Sequence, residues 1–266
     1  MKILGIVNIT EDSFSDGGKY LAGDAAIAHA RKLAKDADIL DLGAASSNPD
    51  AKPVAAEVEI QRLAPVVESL KTDGRSVSID TFAPEVQRWA LAQGVDYLND
   101  IQGFPEERLY PELAASSAKL IVMHSVQERG KATRIDVPSG EILDRVRRFF
   151  GARLAALTKA GIGRERIILD PGMGFFLGSD PETSFTVLRA LAALKGEFGL
   201  PVLVSVSRKS FLRKITGRDP ADAGAASLAA ELFAAAQGAD FIRTHDPKAL
   251  RDGWAVWQAA TSRNPA

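Results

Sequence analysis

The 266-residue chain contains no cysteine, which excludes disulfides, thiolate zinc sites and cysteine nucleophiles together. Histidine is scarce: only His29, His124 and His245 occur. They lack the paired spacing of a metal site, and no dense carboxylate cluster stands in for it. Neither sign of charge dominates. Lys and Arg number 33 against 34 Asp and Glu, a formal net charge of −1. No global field therefore recruits nucleic acid or an anionic membrane, and any anion site must be local. Long apolar runs are missing as well. The first, residues 3–7, is too short for a signal-peptide core and breaks at Asn8. No stretch approaches the roughly 20 apolar residues of a membrane span. The expectation is a cytoplasmic, soluble protein that engages neither nucleic acid nor membrane.

What is present suffices for a large core, with 46% hydrophobic and 25% charged residues. Eight short apolar runs recur, at residues 3–7, 39–40, 77–79, 97–98, 120–123, 167–169, 202–206 and 241–242. Each stops at a polar or charged residue: in order Asn8, Asp41, Asp80, Asn99, His124, Asp170, the trio Ser207-Arg208-Lys209, and Arg243 with His245. Continuous runs suit strands covered on both faces, as in a parallel sheet.

The segments between them carry helical signals. Pro84 opens one and Gly94 follows it. Ser139 is placed to cap a long segment ending at Lys159-Ala160-Gly161, Asp180-Pro181 starts another, and Pro247 starts the last, with Leu250, Trp254 and Trp257 as its expected inner stripe. A (β/α)₈ barrel, one domain over residues 1–266, fits this alternation and length. It would gather the eight strand C-termini on one face. The longest irregular stretches, residues 10–23, 43–53 and 125–138, all follow strands and belong on that face. Residues 127–134 (QERGKATR) read most simply as a solvated, mobile loop.

Two constellations carry chemistry. Ser207-Arg208-Lys209-Ser210 follows the seventh run, where such barrels often bind phosphate, and supplies hydroxyls with adjacent cations. A plain surface reading competes evenly, and a Schiff-base role for Lys209 stays open. Arg243 and His245 end the neighbouring eighth run and would complete the same cationic pocket. Asp80, Asn99 and Asp170 form the second set. Buried together they need hydrogen-bonding partners, and they match a ligand with a donor-rich edge, such as an aminopyrimidine. Asp41 could equally bond a neighbouring loop, and His29 reads as an ordinary helix-face residue. A magnesium ion riding on a diphosphate and touching one or two protein groups would fit better than a metal cage.

With these residues in hand the chain resembles the dihydropteroate synthases over nearly its whole length. The motifs are Gly5-Ile6-Val7-Asn8-Ile9-Thr10 running into Asp12-Ser13-Phe14-Ser15-Asp16-Gly17-Gly18, then Asp80-Thr81, Asn99-Asp100-Ile101, Met123-His124, Leu169-Asp170-Pro171-Gly172, Ser207-Arg208-Lys209-Ser210 and Arg243-Thr244-His245-Asp246. That family joins 6-hydroxymethyl-7,8-dihydropterin diphosphate to p-aminobenzoate and releases diphosphate. The resemblance implies that Asp80, Asn99, Asp170 and Lys209 hold the pterin, with Arg243 stacked on it and Met123 nearby. Asn8 would touch magnesium and diphosphate, and Arg243 with His245 would hold the leaving group. Catalysis would fall to Asp80, Asp170, Lys209, Arg243 and His245. Phe14, Ser47, Phe175, Phe176, Ser207 and Arg208 would line the p-aminobenzoate side. A homodimer is implied in the same way.

Three departures fall on that last side. Where the family commonly has Gly-Gly-Glu-Ser-Thr-Arg-Pro-Gly, residues 43–50 read GAASSNPD, with Asn48 for the arginine. The usual Gly-Phe-Gly-Phe-Gly-Lys becomes Gly172-Met173-Gly174-Phe175-Phe176-Leu177-Gly178, and Glu11 stands where proline is usual. This pattern resembles the sulfonamide-resistant subgroup, with Phe176 as a wedge that admits a planar carboxylate and clashes with a bulkier sulfonyl group. Competing readings are a methyltetrahydrofolate-binding methyltransferase domain on the same barrel, a phosphate-dependent lyase using Lys209, and a silent folate-binding protein.

Overall fold

The structure, a computed structural model, describes residues 1–9, 18–46, 49–127, 130–135 and 137–262, with side chains of the first helix described from residue 23 onward. The eight runs become eight strands: β1 Lys2–Asn8, β2 Ile39–Gly43, β3 Val77–Asp80, β4 Tyr97–Asp100, β5 Lys119–Met123, β6 Ile167–Asp170, β7 Leu203–Val204 and β8 Phe241–Thr244. All pair in parallel, in the order β6-β5-β4-β3-β2-β1-β8-β7. A parallel bridge between Leu169 and Val202 joins the two end strands, and the Leu169 N–H donates to the Pro201 carbonyl at 2.9 Å. With helices between successive strands, this is the expected (β/α)₈ barrel.

Side chains alternate across a strand, so the two faces of each run have separate fates. Ile3, Val7, Leu40, Leu42, Val77, Ile79, Leu120, Val122, Val204 and Ile242 face outward and join one large core cluster with helix residues such as Leu63, Val67, Val86, Val146 and Leu250. Leu4, Ile39, Tyr97, Ile121, Ile168, Leu203 and Phe241 form a separate buried cluster inside the barrel. Each such burial contributes about 1.5–3 kcal/mol. Tyr97 and Phe241 meet edge to face at 6.5 Å between ring centroids. This inner layer is the floor of the site.

Most helix signals hold. Pro84–Ala92 starts on its proline, and Gly94 follows in a left-handed conformation at φ 64°. Asp180 caps Pro181–Arg189 by accepting from the Glu182 N–H at 3.0 Å. Asp246 caps Pro247–Thr261 by accepting from Ala249 at 3.0 Å. Two expectations are corrected. Ser139 opens a short 3₁₀ turn, Ser139–Glu141, and makes no capping bond to the helix Ile142–Lys159. In the last helix Leu250 is buried and Trp254 packs partly on the core, but Trp257 is 39% exposed. Seven residues at 3.6 per turn return Trp257 to within about 20° of the Leu250 face, so the periodicity is right and the described core does not reach two turns beyond Leu250.

Candidate active site

Two residues beyond the floor, most of the same inward faces turn polar, Met123 being the exception. Ile39 is followed on its face by Asp41, Tyr97 by Asn99, Ile121 by Met123, Ile168 by Asp170, Leu203 by Ser205 and Phe241 by Arg243. The strand register places Asp80 directly beside Asn99, and Met123 beside Asp170. Residues spread over more than 160 positions thus share one layer. Most of them sit inside the ladders rather than after them, because an inward polar side chain ends an apolar run without ending the strand.

Arg243 is the hub. Its Nε donates to Asp41 Oδ2 at 2.5 Å and its Nη2 to Asp80 Oδ2 at 2.6 Å. The Arg243 side chain is 14% exposed, that of Asp41 0% and that of Asp80 20%. Asn99 Nδ2 also donates to Asp41 Oδ2, at 3.3 Å. Asp41, read from sequence as ambiguous, is therefore part of the site. Burial works against the Arg243 charge, yet Asp41 and Asp80 outweigh it and hold the guanidinium above its ordinary range. Burial pushes Asp80 up to about 7, against the pull of Arg243 and with Asp41 adding to the rise. Asp170 rises to about 6, again through burial, although its Oδ1 accepts the Gly172 N–H at 2.8 Å and Lys209 and Arg243 oppose the shift. Lys209 falls to about 8, through burial and then the Arg243 charge, with Asp170 and Asp80 resisting.

Several polar atoms of this layer are buried with no partner among the described residues: Asp41 Oδ1, Asn99 Oδ1, Ser78 Oγ and Ser205 Oγ. Most buried polar atoms in folded proteins are paired. Two orphan acceptors, Asp41 Oδ1 and Asn99 Oδ1, beside two unpaired hydroxyls are what a ligand with a donor-rich edge would satisfy.

Lys209 arrives from the loop after β7. Gly174 makes room for it: a Cβ there would lie 3.2 Å from Ser210 Oγ and 3.5 Å from Lys209 Cβ, and its φ is 66°. Gly172, at φ 76°, is still more constrained, since a Cβ would meet the His124 carbonyl oxygen at 2.4 Å. The Asp-Pro-Gly turn after β6 thus needs this glycine to aim Asp170 inward.

On the rim, Ser207 Oγ sits 3.0 Å from His245 Nδ1 and accepts the His245 N–H at 3.3 Å. Burial and the charges of Arg208, Arg243 and Lys209 push the imidazole down to about 3. These effects favour the neutral imidazole, so the positive charge of the pocket rests on its arginines and lysine. Glu231 lies behind it, bonded to the Thr244 and Ser207 hydroxyls and pushed by burial up to about 7. Sequence reading missed Glu231. The signal was a lone carboxylate in the alanine-rich helix Gly224–Ala236.

Arg208 has φ 57°, its side chain is exposed, and its N–H donates to Ser227 Oγ at 2.9 Å. Asn8 ends β1 with an exposed side chain. His124 is buried, with Nδ1 3.1 Å from the Pro171 carbonyl and its ring edge-on to Phe149 at 5.3 Å. It supports the turn rather than facing a ligand.

Phe176 packs with Met123, Ile101 and Ala132, and the Lys209 ammonium lies 4.8 Å from its ring centroid. Phe175 packs partly buried against the same cluster, with the Arg134 guanidinium 5.6 Å from its ring. The segment expected as a plain solvated loop is anchored where it is described. Ala132 is buried against Phe176, Lys131 Nζ donates to the carbonyls of Pro49 and Ala51, and Arg134 forks onto Asp50, with Nη1–Oδ1 at 3.0 Å. It straps the loop after β2 to the loop after β6. Phe14 and Ser47 lie outside the described residues, as do Glu11 and Asn48.

Comparison with known proteins agrees with this geometry. Residues 4–245 match the family described as pterin binding enzyme. A dihydropteroate synthase type-2 from Escherichia coli is 64% identical, covering 97% of this chain and 95% of the relative. A Xanthomonas albilineans dihydropteroate synthase solved with 4-aminobenzoic acid superposes with a TM-score of 0.89 at 38% identity, covering 99% of this chain and 94% of that one. The same organism's enzyme in complex with 7,8-dihydropteroate gives a TM-score of 0.85 at 37% identity, with coverage of 99% and 94%.

Proposed function

The chain belongs to the dihydropteroate synthase family, and we propose that its barrel mouth performs that family's condensation with the residues assembled above, all 266 residues forming one catalytic unit. The layer of buried acceptors gripped by Arg243 carries the reading. The pterin's amino and ring N–H groups would meet Asp80, Asn99 and Asp170, with Lys209 and Met123 beside them. A guanidinium has five N–H donors. Arg243 gives two to Asp41 and Asp80, which fixes its plane as a stacking surface and leaves others for an anion.

In the reaction the amine nitrogen of p-aminobenzoate bonds to the pterin methylene carbon. The C–O bond breaks, and diphosphate leaves with the electron pair. Arg243 and the His245 N–H would stabilise the leaving charge, and Asp170 or Asp80 the developing positive charge on the pterin. An arylamine is nucleophilic while neutral, so no strong base is needed; its proton is lost to solvent or diphosphate. The arylamine would approach between Phe175, Phe176, Ser207 and Arg208. Phe14 and Ser47 belong to the same proposed wall.

Magnesium is part of the proposal. Among the described residues no group of three or more His, Asp or Glu side chains could hold a metal. The exposed amide of Asn8 at the end of β1 offers one neutral oxygen. That donor set suits an ion held mostly by diphosphate and water. Asn8 would hold it, and when bound it would neutralise leaving-group charge. A homodimer is supported by Phe233, Val256 and Trp257, which expose 40%, 70% and 39% of their surface on the last two helices. No described helix is long and apolar enough to cross a membrane, and we place the reaction in the cytoplasm as part of the same reading.

The direct test is diphosphate release from the dihydropterin diphosphate with and without p-aminobenzoate. Release that depends on p-aminobenzoate is expected. Tight pterin binding without turnover would favour the methyltransferase-like or silent alternative.

The site also predicts a pH profile. Below the rise of Asp170 and Asp80, at about 6 and about 7, the carboxyls are neutral and lose ionic acceptance. Above about 8 Lys209 loses its charge. Affinity for 6-hydroxymethyl-7,8-dihydropterin should therefore rise through the first range and fall past the second, the limbs belonging to the coupled set. Lys209→Arg should push the alkaline limb to higher pH. Titration calorimetry across pH 5–9 checks this, and a flat profile in the unmodified enzyme counts against it.

A further inference from the structure

The helix Gly224–Ala236 is made almost wholly of small and apolar residues, and Glu231 is its single charged side chain. That side chain is 2% exposed. Burying a carboxyl group in such a face is costly unless it is bonded, and nothing in the reaction above uses it. Ser227 lies one turn before it on the same face, and its Oγ accepts the Arg208 N–H at 2.9 Å. The face is thus docked on the loop after β7. Glu231 meets the Ser207 hydroxyl of that loop and the Thr244 hydroxyl of β8. Its Oε1 is fully shielded and has no hydrogen-bond partner among the described residues.

Ser207 is the link to the rim. Its Oγ accepts the His245 backbone N–H at 3.3 Å and lies 3.0 Å from His245 Nδ1. A hydroxyl has one proton and two acceptor lone pairs, and one lone pair is committed to that backbone N–H. The proton and the other lone pair are divided between Glu231 and Nδ1, in one of two ways. An ionised Glu231 can only accept, so the hydroxyl proton turns to it and Nδ1 fills the free lone pair with its own N–H. The neutral ring then carries no proton on Nε2. A protonated Glu231 can donate to that lone pair, which turns the hydroxyl proton onto Nδ1 and leaves the ring proton on Nε2. With Nδ1 held by Ser207, Nε2 is the ring atom available to a ligand. Thr244 suits both states, since its hydroxyl can donate to either form of the carboxyl group while its Oγ1 accepts the Asp246 N–H at 3.1 Å.

Resting on the synthase reading for what Nε2 meets, we propose that Glu231 is a positioning residue. Its proton, relayed as the orientation of the Ser207 hydroxyl, decides whether His245 presents a donor or a bare lone pair to the leaving diphosphate. The shielded Oε1 weighs against a charged carboxylate. Burial pushes Glu231 up to about 7, with Asp246 adding to the rise and the Thr244 and Ser207 hydroxyls opposing it. Burial and the charges of Arg208, Arg243, Lys209 and His29 oppose a second proton on the ring, so His245 changes tautomer rather than charge. Below about 7 Glu231 is neutral and Nε2–H donates; above it Nε2 turns a lone pair toward an anion. The change releases one proton from Glu231 to solvent. The ring keeps a single proton, which moves from Nε2 to Nδ1 through water.

The first measurement is NMR of enzyme carrying ¹⁵N-labelled histidine, without substrate, across pH 5–9. It reads the tautomer of each ring, and with three histidines in the chain single His→Gln variants assign the signals. His245 should hold its proton on Nε2 at the acid end and on Nδ1 at the alkaline end. E231Q cannot ionise and keeps an amide donor for Ser207, so its ring should stay in the Nε2 form throughout. S207A keeps the acid but cuts the link, and its ring should no longer follow Glu231. The buried His124, held by the Pro171 carbonyl, reports folding in every variant. A tautomer that stays fixed in the unmodified enzyme, or one that titrates unchanged in E231Q, overturns the proposal. The second measurement is the calorimetric Kd for inorganic diphosphate with magnesium. The ratio between the unmodified enzyme and E231Q cancels the ligand's own protonation. It should move about tenfold or more in favour of E231Q between pH 6 and pH 8.5, the scale of one hydrogen bond to a charged group. A ratio that does not change with pH would detach His245 from the diphosphate and overturn the proposal. A titrating tautomer in an unmodified enzyme that binds no diphosphate at any pH would instead remove the synthase reading and leave the coupling of Glu231 to His245 standing.

Discussion

Arg243→Ala is expected to cut p-aminobenzoate-dependent diphosphate release by about 10²–10³-fold or more, the usual cost of losing a preorganised charge at a developing anion. The size follows from the two roles proposed for Arg243. Its Nε and Nη2 hold Asp41 and Asp80, and in the proposed reaction its remaining donors would meet the leaving diphosphate and its flat face the pterin. Removing it leaves two carboxylates facing each other in a buried layer. The typical cost of breaking such a pair from one side is about 3–5 kcal/mol of stability. Loss of activity by unfolding is separated by two measurements. Thermal unfolding reports the stability change, and single-turnover kinetics at a temperature where the variant is folded reports the chemistry. Arg243→Lys keeps one charge but cannot bridge two carboxylates in one plane. It should recover part of the stability and little of the rate. Near-normal turnover in Arg243→Ala would remove Arg243 from the mechanism and with it the main support for the site.

The barrel was legible because every strand is buried on both faces. Runs such as residues 120–123 are apolar without alternation, and the polar residues that end or follow such runs mark the layer where the interior changes from floor to site. The same logic made Asp80, Asn99, Asp170 and Arg243 visible. Asp41 was harder to assign, because a carboxylate after two apolar residues looks like a strand end. Only the register shows it two residues above Ile39 on the inward face. Glu231 was hidden by its helix. Its partners Ser207 and Thr244 come from two other segments, and no local pattern announces a contact of that kind. The neutrality of His245 also needed three dimensions, since it follows from burial and from Arg208, Arg243 and Lys209 together. The strap through Lys131 and Arg134 was lost for a different reason. A charged, glycine-containing segment has the composition of a solvated loop, and its anchors are carbonyls and a carboxylate more than 75 residues away.

Phe176→Gly is expected to make the enzyme about 100-fold more sensitive to sulfonamides relative to p-aminobenzoate, equivalent to about 2.7 kcal/mol. We propose insensitivity in the unmodified enzyme on the packing around this ring. Phe176 is 4% exposed, wedged among Met123, Ile101 and Ala132, with the Lys209 ammonium over its face. An aromatic ring cannot yield there without displacing Met123 or Lys209, both on the proposed pterin wall. The arylamine therefore meets a rigid boundary. A carboxylate is planar and passes; a sulfonyl group is tetrahedral and carries a further substituent, so it meets the boundary as a clash. Glycine removes the ring but keeps the backbone carbonyl that accepts the Val126 N–H at 2.9 Å, so the tie between the two loops survives. Emptying a buried aromatic position typically costs about 3–5 kcal/mol of stability, which lowers the amount of folded enzyme. The ratio of drug Ki to p-aminobenzoate KM does not depend on that amount, and it is the quantity to measure. Phe176→Leu, which keeps most of the packing without a flat ring, should fall between the two. An unchanged ratio in Phe176→Gly would show that the boundary lies elsewhere, and the wedge would have to be abandoned.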